Sequence, residues 1–213
     1  MRILRKTTIS LFILLLAFAI YQYRSVLFPS KKVISSLQKT SENQATEKRL
    51  RENLTAVKRK IQSKKYNSNI CFLIDFKLSS GKNRFFVYDL HQKSILYAGL
   101  VAHGSGNKAF TIKVVISNIV ESGCSSLGSY KISYKYKGRF GNAYKLIGLD
   151  SSNNNAFKRN VVLHAYDCVP DYETYPMPIC NSLGCPMVSN NFLKQLEKII
   201  DTSSKPILLH IYK

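Results

Sequence analysis

Apolar and polar positions change their spacing about one third of the way along the chain. Leu50, Leu54, Val57 and Ile61 recur at spacings of four, three and four, which places them on one face of a helix. From residue 69 onward the apolar runs are short or alternate with polar residues, as in β-strands. The pattern therefore predicts a helix followed by a mainly-β region.

Several short segments of the second region predict strands. In residues 130–137, Tyr or Ile alternates with Lys or Ser, which predicts a half-buried strand with a basic outer face. The tripeptide at residues 91–93 has the length of a hairpin connection. The predicted strands are residues 70–76, 84–90, 94–102, 111–116, 130–137, 144–149, 161–164 and 206–212.

A helix is predicted between the last two strands. Ser189 or Asn190 can cap its N-terminus. Its apolar face consists of Phe192, Leu193, Leu196, Ile199 and Ile200. Many short strands with few helices indicate a mainly-β barrel or sandwich with one or two helices, preceded by the basic helix.

The N-terminus has the features of an export signal. Basic residues in the first six positions precede an apolar run over residues 9–19. An A-x-A pattern ending at Ala19 permits cleavage, whereas a run that continues to Tyr21 would remain as an anchor. The run is short beside the roughly 20 apolar residues that cross a bilayer. We interpret residues 1–24 as a signal peptide or signal anchor of an exported protein.

Positive charge dominates the composition. The formal net charge is +20, from 32 Lys and Arg against 12 Asp and Glu. A field of this sign favours anionic partners such as a phospholipid surface, wall polymers or nucleic acid, and export makes nucleic acid the least favoured. Residues 31–65 contain no Gly, Pro or aromatic residue. We therefore expect a basic helical linker over residues 25–68, which packs on the domain or spaces it from a membrane, and a domain over residues 69–213.

Five cysteines are an odd number for an exported protein, because two disulfides leave one thiol unpaired. We expect a Cys168–Cys180 bridge that staples the intervening loop, and a second bridge between Cys71 and Cys124. A cysteine that stays unpaired in an exported protein requires another role, and catalysis is one such role.

Cys185 has the sequence context of a nucleophile. It lies in a turn just before the C-terminal helix, and His164 ends a buried run. A neighbouring imidazole or helix N-terminus lowers the pKa of a thiol, so a hydrogen-bonded pair should have a lowered thiol pKa and a raised histidine pKa. Gly184 allows a positive φ, and the N–H groups of Gly184 and Cys185 can face an oxyanion. Pro186 has no N–H and cannot contribute.

A zinc site is the alternative interpretation of the same region. His164, Cys168, Cys180 and Cys185 are zinc-type ligands at tolerable spacing, which would make this a zinc-stabilised domain. Export disfavours free thiolates, and the four-residue gap between the last two cysteines is wide for a zinc motif. The enzyme interpretation needs no metal and no cofactor.

Several blocks in order along the chain resemble the L,D-transpeptidase (YkuD-type) catalytic domain, in a divergent branch with a Gly-Cys-Pro active-site turn. The resemblance covers roughly residues 70–188 and implies a YkuD-like fold. The matching blocks are residues 74–76, 84–89, 101–104, 125–130, 138–140, 146–150, 155–159, 161–164 and 182–186.

The resemblance implies roles for individual residues. Cys185 matches the acylated nucleophile, His164 the base, and Ser182 the Ser/Thr position before the turn. Leu183 stands where the common branch has a second histidine, so no role is carried over for that residue. His103 matches a block of the family, and we include it with Tyr144 as candidate substrate-binding residues.

The implied reaction is acyl transfer on peptidoglycan stem peptides. The thiol would attack the third residue at its L-centre and release the terminal D-Ala. An amine of another stem then gives a 3–3 cross-link, water gives an L,D-carboxypeptidase, and a wall protein is a third acceptor. The enzyme would be periplasmic or membrane-anchored and face the cell wall. The alternative from another class is a non-catalytic wall-binding or structural protein with Cys185 in a disulfide.

Overall fold

The computed structural model describes Phe18 and residues 31–213, with side chains described from residue 41 onward. The signal expected over residues 1–24 otherwise lies outside the described residues. The chain divides into two compact units, residues 1–49 and 50–213. Among the described residues, no helix combines the length and apolar character needed to cross a bilayer.

One mixed sheet dominates the described part of the chain and confirms the mainly-β fold. Eight strands lie in the order β3-β2-β1-β8-β4-β5-β6-β7. Neighbouring strands are antiparallel except for β1 with β8 and β6 with β7, which are parallel. The elements are α1 (Lys31–Ile61), β1 (Ile70–Asp75), β2 (Phe85–Asp89), β3 (Ser94–Gly99), β4 (Gly128–Gly138), β5 (Gly141–Gly148), β6 (Val162–Ala165), β7 (Met187–Val188), α2 (Asn190–Asp201) and β8 (Leu208–Tyr212).

The sheet is covered on both faces in the second unit, which explains the unbroken apolar run of β1. Phe72 and Ile74 face the larger core cluster, whereas Cys71 and Leu73 face a second cluster. The second cluster includes Leu50, Leu54 and Val57 of α1, which are all buried. Full burial of one such side chain stabilises the fold by about 1.5–3 kcal/mol. The predicted apolar stripe of the helix therefore contributes to the core.

Helix α2 forms as its sequence predicts. The Ser189 side chain accepts a hydrogen bond from the Phe192 N–H at 3.1 Å and so caps the helix. Phe192, Leu193 and Leu196 are buried in the larger core cluster. Because β7 ends at the residue before this cap, the packing of α2 fixes where β7 lies.

The second half of strand β4 leaves the core. Tyr130 and Ile132 are buried as the alternation predicts, but Tyr134 and Tyr136 are 55% and 40% exposed. Beyond Ile132, β4 pairs with β5 alone, so the alternating side chains no longer face a core. The outer half of β4 is therefore exposed and ends in a turn at residues 139 and 140, whereas β5 stays paired with β6 as far as Ala143.

Two sequence expectations are wrong. Residues 111–116 form a loop and not a strand. The Thr111 N–H donates to Asn181 Oδ1 at 2.7 Å, and Ile116 forms an isolated β-bridge with Ser125. Cys71 and Cys124 are both free and buried, and they are not bridged to each other. Burial in β1 raises the pKa of Cys71 to about 12, so its thiol stays protonated.

The Cys168–Cys180 disulfide is present, as expected. It removes both thiolates that the alternative zinc site requires, so the zinc-stabilised interpretation is wrong. Among the described residues no group of His, Cys, Asp or Glu is arranged to hold a metal ion.

We expect the fold to lose stability between pH 6.5 and pH 4. Burial, with Arg84 as a second cause, lowers the pKa of His103 to about 4, and burial lowers that of His210 to about 4. The unfolded chain binds more protons in this window, so the stabilisation is complete above pH 6.5 and falls as pH decreases. Urea unfolding should show a loss of about 2 kcal/mol per histidine between pH 7 and pH 5.

His210→Asn should reduce this dependence on pH, and His91→Asn is the matched control because His91 is exposed. Equal pH dependence in wild type and His210→Asn would contradict the assignment.

Candidate active site

The parallel pairing of β6 and β7 places Cys185 beside His164. His164 is the Cα partner of Met187, and its N–H donates to the Pro186 carbonyl at 3.4 Å. Cys185 directly precedes Pro186, so Cys185 and His164, which are 21 residues apart in the sequence, lie in one site. Both line a cavity of about 520 Å³, together with Ser182. Three of the residues predicted from the sequence are therefore brought together.

The thiol of Cys185 is in its protonated form at rest. Its Sγ accepts from the Val162 N–H at 3.5 Å, and the thiol lies 3.8 Å from the Asn160 carbonyl oxygen, which can only accept. Burial raises the pKa of Cys185, while the Val162 N–H and the charges of Arg159 and Lys145 lower it. The net direction is upward, so a thiolate would form here only with a base to take the proton.

His164 is a neutral imidazole with one ring nitrogen free to accept a proton. Its Nδ1 lies 3.0 Å from the Ala165 carbonyl oxygen, so Nδ1 carries the hydrogen and Nε2 is the acceptor. Burial lowers the pKa of His164, although the Ala165 contact raises it, and the ring is neutral near pH 7. Phe140 stacks on the ring at 5.5 Å between centroids, and Tyr166 packs edge-on against Phe140. These contacts fix the plane of the imidazole.

The resting pair is therefore neutral and not ionic. Among the described residues, the hydrogen bonds of Cys185 do not include one to His164. The sequence led us to expect a lowered thiol pKa and a raised histidine pKa, and the directions are the reverse because burial acts on both groups. Proton transfer must then accompany attack.

The turn before Cys185 is closed by Ser182. The Ser182 hydroxyl donates to the Cys185 carbonyl oxygen at 2.6 Å and accepts from the Gly184 N–H at 3.1 Å. The Gly184 N–H is thus engaged inside the turn in this structure, and its expected oxyanion role stays a prediction. The Cys185 N–H has no acceptor within the described part of the chain, so it is the available donor.

Only glycine fits at position 184. Its φ is 118°, and a Cβ added there would lie 2.6 Å from the Cys124 carbonyl oxygen and 3.2 Å from Arg159 Nη2. Arg159 Nη1 donates to the Ser117 carbonyl and to the Ser126 hydroxyl at 3.0 and 3.1 Å, and Nη2 donates to the Cys124 carbonyl. Arg159 thus holds the loop against which the turn is pressed.

The two expected substrate-binding residues lie beneath the site and not in it. His103 is buried, accepts from Arg84 Nη2 at its Nδ1 at 3.0 Å, and its carbonyl accepts from the Ser182 N–H at 2.9 Å. Tyr144 is buried in the larger core cluster, and its hydroxyl donates to Asp201 Oδ1 at 2.7 Å. Tyr144 faces the core because its neighbour Ala143 faces the cavity. Neither side chain can contact a substrate in this arrangement.

The cavity wall contains residues that sequence reasoning missed. Lys108 and Arg139 supply positive charge, and Tyr136, Phe140 and Tyr166 supply aromatic surface. Among the described residues that line the cavity, none carries a carboxylate. The sequence indicates that Arg139 and Phe140 lie between two predicted strands, but it does not show that this connection lies over the cavity.

The family comparison agrees with this geometry. A family model described as the L,D-transpeptidase catalytic domain matches residues 41–212. No curated protein matches the chain.

Three solved structures are similar to the chain at low identity. The helical cell shape determining protein Pgp2 from Campylobacter jejuni has 13% identity and a TM-score of 0.43, over 68% of this chain and 48% of that chain. The L,D-transpeptidase from Mycobacterium smegmatis has 12% identity and a TM-score of 0.41, over 68% and 59%. The Ldtfm-avibactam carbamoyl enzyme has 10% identity and a TM-score of 0.44, over 69% and 50%. The chain thus spans about half the length of the proteins it matches.

Gly184→Ala should displace the turn that carries Cys185. Strained backbone costs about 1–3 kcal/mol, and contact with the Cys124 carbonyl adds to that cost. We expect a lower urea midpoint and a changed rate of iodoacetamide labelling at Cys185.

Gly141→Ala is the matched control, because Gly141 has a φ of 89° but nothing lies within 4 Å of an added Cβ. If both variants lose the same stability and label alike, close packing at Gly184 is not what requires glycine.

Proposed function

The chain belongs to the L,D-transpeptidase catalytic domain family, and we propose that it performs cysteine-dependent acyl transfer on peptidoglycan stem peptides. The observation that carries the proposal is the placement of a thiol, an imidazole with a free Nε2 and an unused backbone N–H in one cavity. The structural alternative required Cys185 in a disulfide, and that thiol is free.

The first half-reaction forms a thioester. The carbonyl of the third stem residue enters the cavity, and Cys185 Sγ attacks it while the thiol proton moves to His164 Nε2. The developing oxyanion accepts a hydrogen bond from the Cys185 N–H. His164 then gives its proton to the amine of the terminal D-Ala, which leaves as the C–N bond breaks.

The second half-reaction depends on the acceptor. An amine of a second stem attacks the thioester and loses a proton to His164, and the departing thiolate takes that proton back. This outcome is a 3–3 cross-link. Water in place of the amine gives a tripeptide and makes the enzyme an L,D-carboxypeptidase. A protein amine is a third acceptor.

The charge of the cavity suits such a substrate. Stem peptides carry carboxylates, and the cavity is lined by Lys108 and Arg139 without an acidic side chain among its described residues. Phe140 and Tyr166 offer apolar surface beside the nucleophile.

Export follows as part of the proposal, because peptidoglycan lies outside the cytoplasm. The apolar run within residues 1–24 would direct the chain there as a signal peptide or anchor. The enzyme would then be periplasmic or membrane-anchored and face the wall, where its +20 charge also suits an anionic membrane surface. We place the catalytic domain from residue 50 onward, since that part of α1 belongs to the core.

Incubation with purified disaccharide-tetrapeptide fragments tests this function. Mass analysis should show release of D-Ala, with either cross-linked dimers or tripeptide as the second product. Cys185→Ala should abolish both products, and His164→Ala should slow turnover by about 10²–10⁴-fold because base and acid are lost together. His91→Ala is the control, since that histidine is exposed and lies outside the cavity. Product formation by folded Cys185→Ala would sink the proposal.

Arg139→Gln should weaken substrate binding more than it slows chemistry. Arg139 is exposed at the cavity rim, where a charge contact contributes about 0.2–1 kcal/mol, so KM should rise up to about fivefold with kcat nearly unchanged. The difference from wild type should shrink in high salt.

Lys137→Gln is the matched control on the same hairpin, because Lys137 is exposed and does not line the cavity. A similar rise in KM for both variants would show that the effect is general surface charge.

A further inference from the structure

Lys145 is a buried lysine whose position calls for an anion. It lies in β5 and is only 5% exposed. Its Nζ donates to Asn160 Oδ1 at 3.0 Å and lies 4.6 Å from the centroid of the Phe157 ring. Within the described part of the chain, Lys145 forms no ion pair with a carboxylate. A buried ammonium group is costly unless an anion compensates it.

The sheet register places Lys145 on the face that carries the active site. Lys145 is opposite Val162, and Ala143 is opposite His164, in the antiparallel pairing of β5 with β6. Residues directly opposite one another in such a pair project to the same face. Ala143, Val162 and His164 all line the cavity. Lys145 therefore belongs to the same row, one step further along β5.

The residues that hold Lys145 also contact the thiol. Asn160 binds Nζ through its side chain, and its carbonyl oxygen is 3.8 Å from Cys185 Sγ. Val162, the strand partner of Lys145, donates its N–H to Sγ at 3.5 Å. The ammonium and the sulfur are thus positioned by the same two residues.

We propose that Lys145 is the counter-charge of the Cys185 thiolate, so that the anion missing around the buried ammonium is the deprotonated nucleophile itself. The proposal requires Cys185 to be the nucleophile of the proposed function. The thiol proton goes to His164 Nε2, Lys145 keeps its own proton, and the thiolate forms between two cations. Lys145 acts through Cys185 and needs no contact with the substrate, so it is a positioning residue.

The electrostatic directions agree with this geometry. Lys145 lowers the pKa of Cys185, and Cys185 raises the pKa of Lys145, which burial alone lowers. The other charged or titratable groups around the thiol are Arg159, from the loop before β6, His164 of β6, and Lys108, Tyr136, Arg139 and Tyr166 of the cavity wall. Of the cations among them, Arg159 is the one that also lowers the pKa of Cys185. Arg159 is already bound to two carbonyls and two hydroxyls, and His164 is neutral at rest. Of the two cations that lower the pKa of Cys185, Lys145 therefore has fewer competing partners.

The pH dependence of Cys185 alkylation tests the proposal. Rates of iodoacetamide labelling would be measured for the Cys185 peptide alone by mass spectrometry, because Cys71 and Cys124 are also free. Removal of an adjacent opposite charge raises a pKa by about one unit or more, so Lys145→Met should shift the profile upward and slow labelling about tenfold below the thiol pKa. Lys145→Arg keeps the charge and should restore most of the rate.

Lys158→Met is the matched control, because Lys158 is exposed in the same segment and its charge is screened by solvent. Its profile should coincide with that of wild type. An unchanged profile in folded Lys145→Met, or equal shifts in Lys145→Met and Lys158→Met, would overturn the proposal.

A second measurement leaves Lys145 itself intact. NMR titration of isotopically labelled lysine would give the pKa of Lys145 in wild type and in Cys185→Ser. Because coupling between two sites is reciprocal, loss of the thiolate should lower the pKa of Lys145. Equal values in the two proteins would also overturn the proposal. Neither readout uses peptidoglycan, so this proposal and the proposed function can fail independently.

Discussion

The pairing of β7 with β6 is the contact on which the candidate active site depends, because it carries Cys185 to His164. A strand of two residues cannot hold this position by itself. Three neighbours hold it: the Ala102 N–H donates to the Met187 carbonyl at 2.8 Å, the Ser182 hydroxyl closes the preceding turn, and α2 begins directly after β7 with its apolar side chains in the core. The position of the thiol is therefore fixed by core packing and by a turn that excludes any side chain at residue 184. The cost of holding a polar turn in a buried setting is offset by hydrogen bonds that use its own hydroxyl and backbone groups.

The burial that fixes the positions of Cys185 and His164 also determines their protonation states. Desolvation keeps the Cys185 thiol and the His164 imidazole neutral, so neither group is charged in the resting site. Positive charge surrounds this neutral pair, from Lys145 and Arg159 beneath it and from Arg139 at the rim. Such an arrangement stabilises anions that form during the reaction more than it stabilises the resting state. A cysteine exposed to solvent would lack this difference, because water screens the same charges in both states.

Much of the fold could be predicted from the spacing of apolar residues. The run at β1 is apolar on both faces and is buried on both faces, and the helix α2 begins at the serine that its sequence marks as a cap. These features depend on residues near one another in the chain. Residues 111–116 have the composition of a strand but lie in a loop, and the backbone N–H and carbonyl of Thr111 both bind the side chain of Asn181, which is 70 residues away. The composition of a short segment cannot predict a hydrogen bond to a side chain so far away in the sequence.

For the candidate site, too, some features follow from the sequence and others only from long-range packing. Sequence by itself determined the nucleophile, base and serine candidates, because their residue types and their order resemble a known family. It also indicated that Gly184 can adopt a positive φ, and φ is 118° at this residue. Only the tertiary structure decided which neighbouring side chains lie on the same face of the sheet as the cavity that holds Cys185. Tyr144 and Lys145 are adjacent and both buried, yet Tyr144 faces the core and Lys145 lies on the face of β5 that lines the cavity. Successive residues of a strand project to opposite faces, so their roles are set by the register against β6, and that register is fixed by long-range packing rather than by the residues themselves.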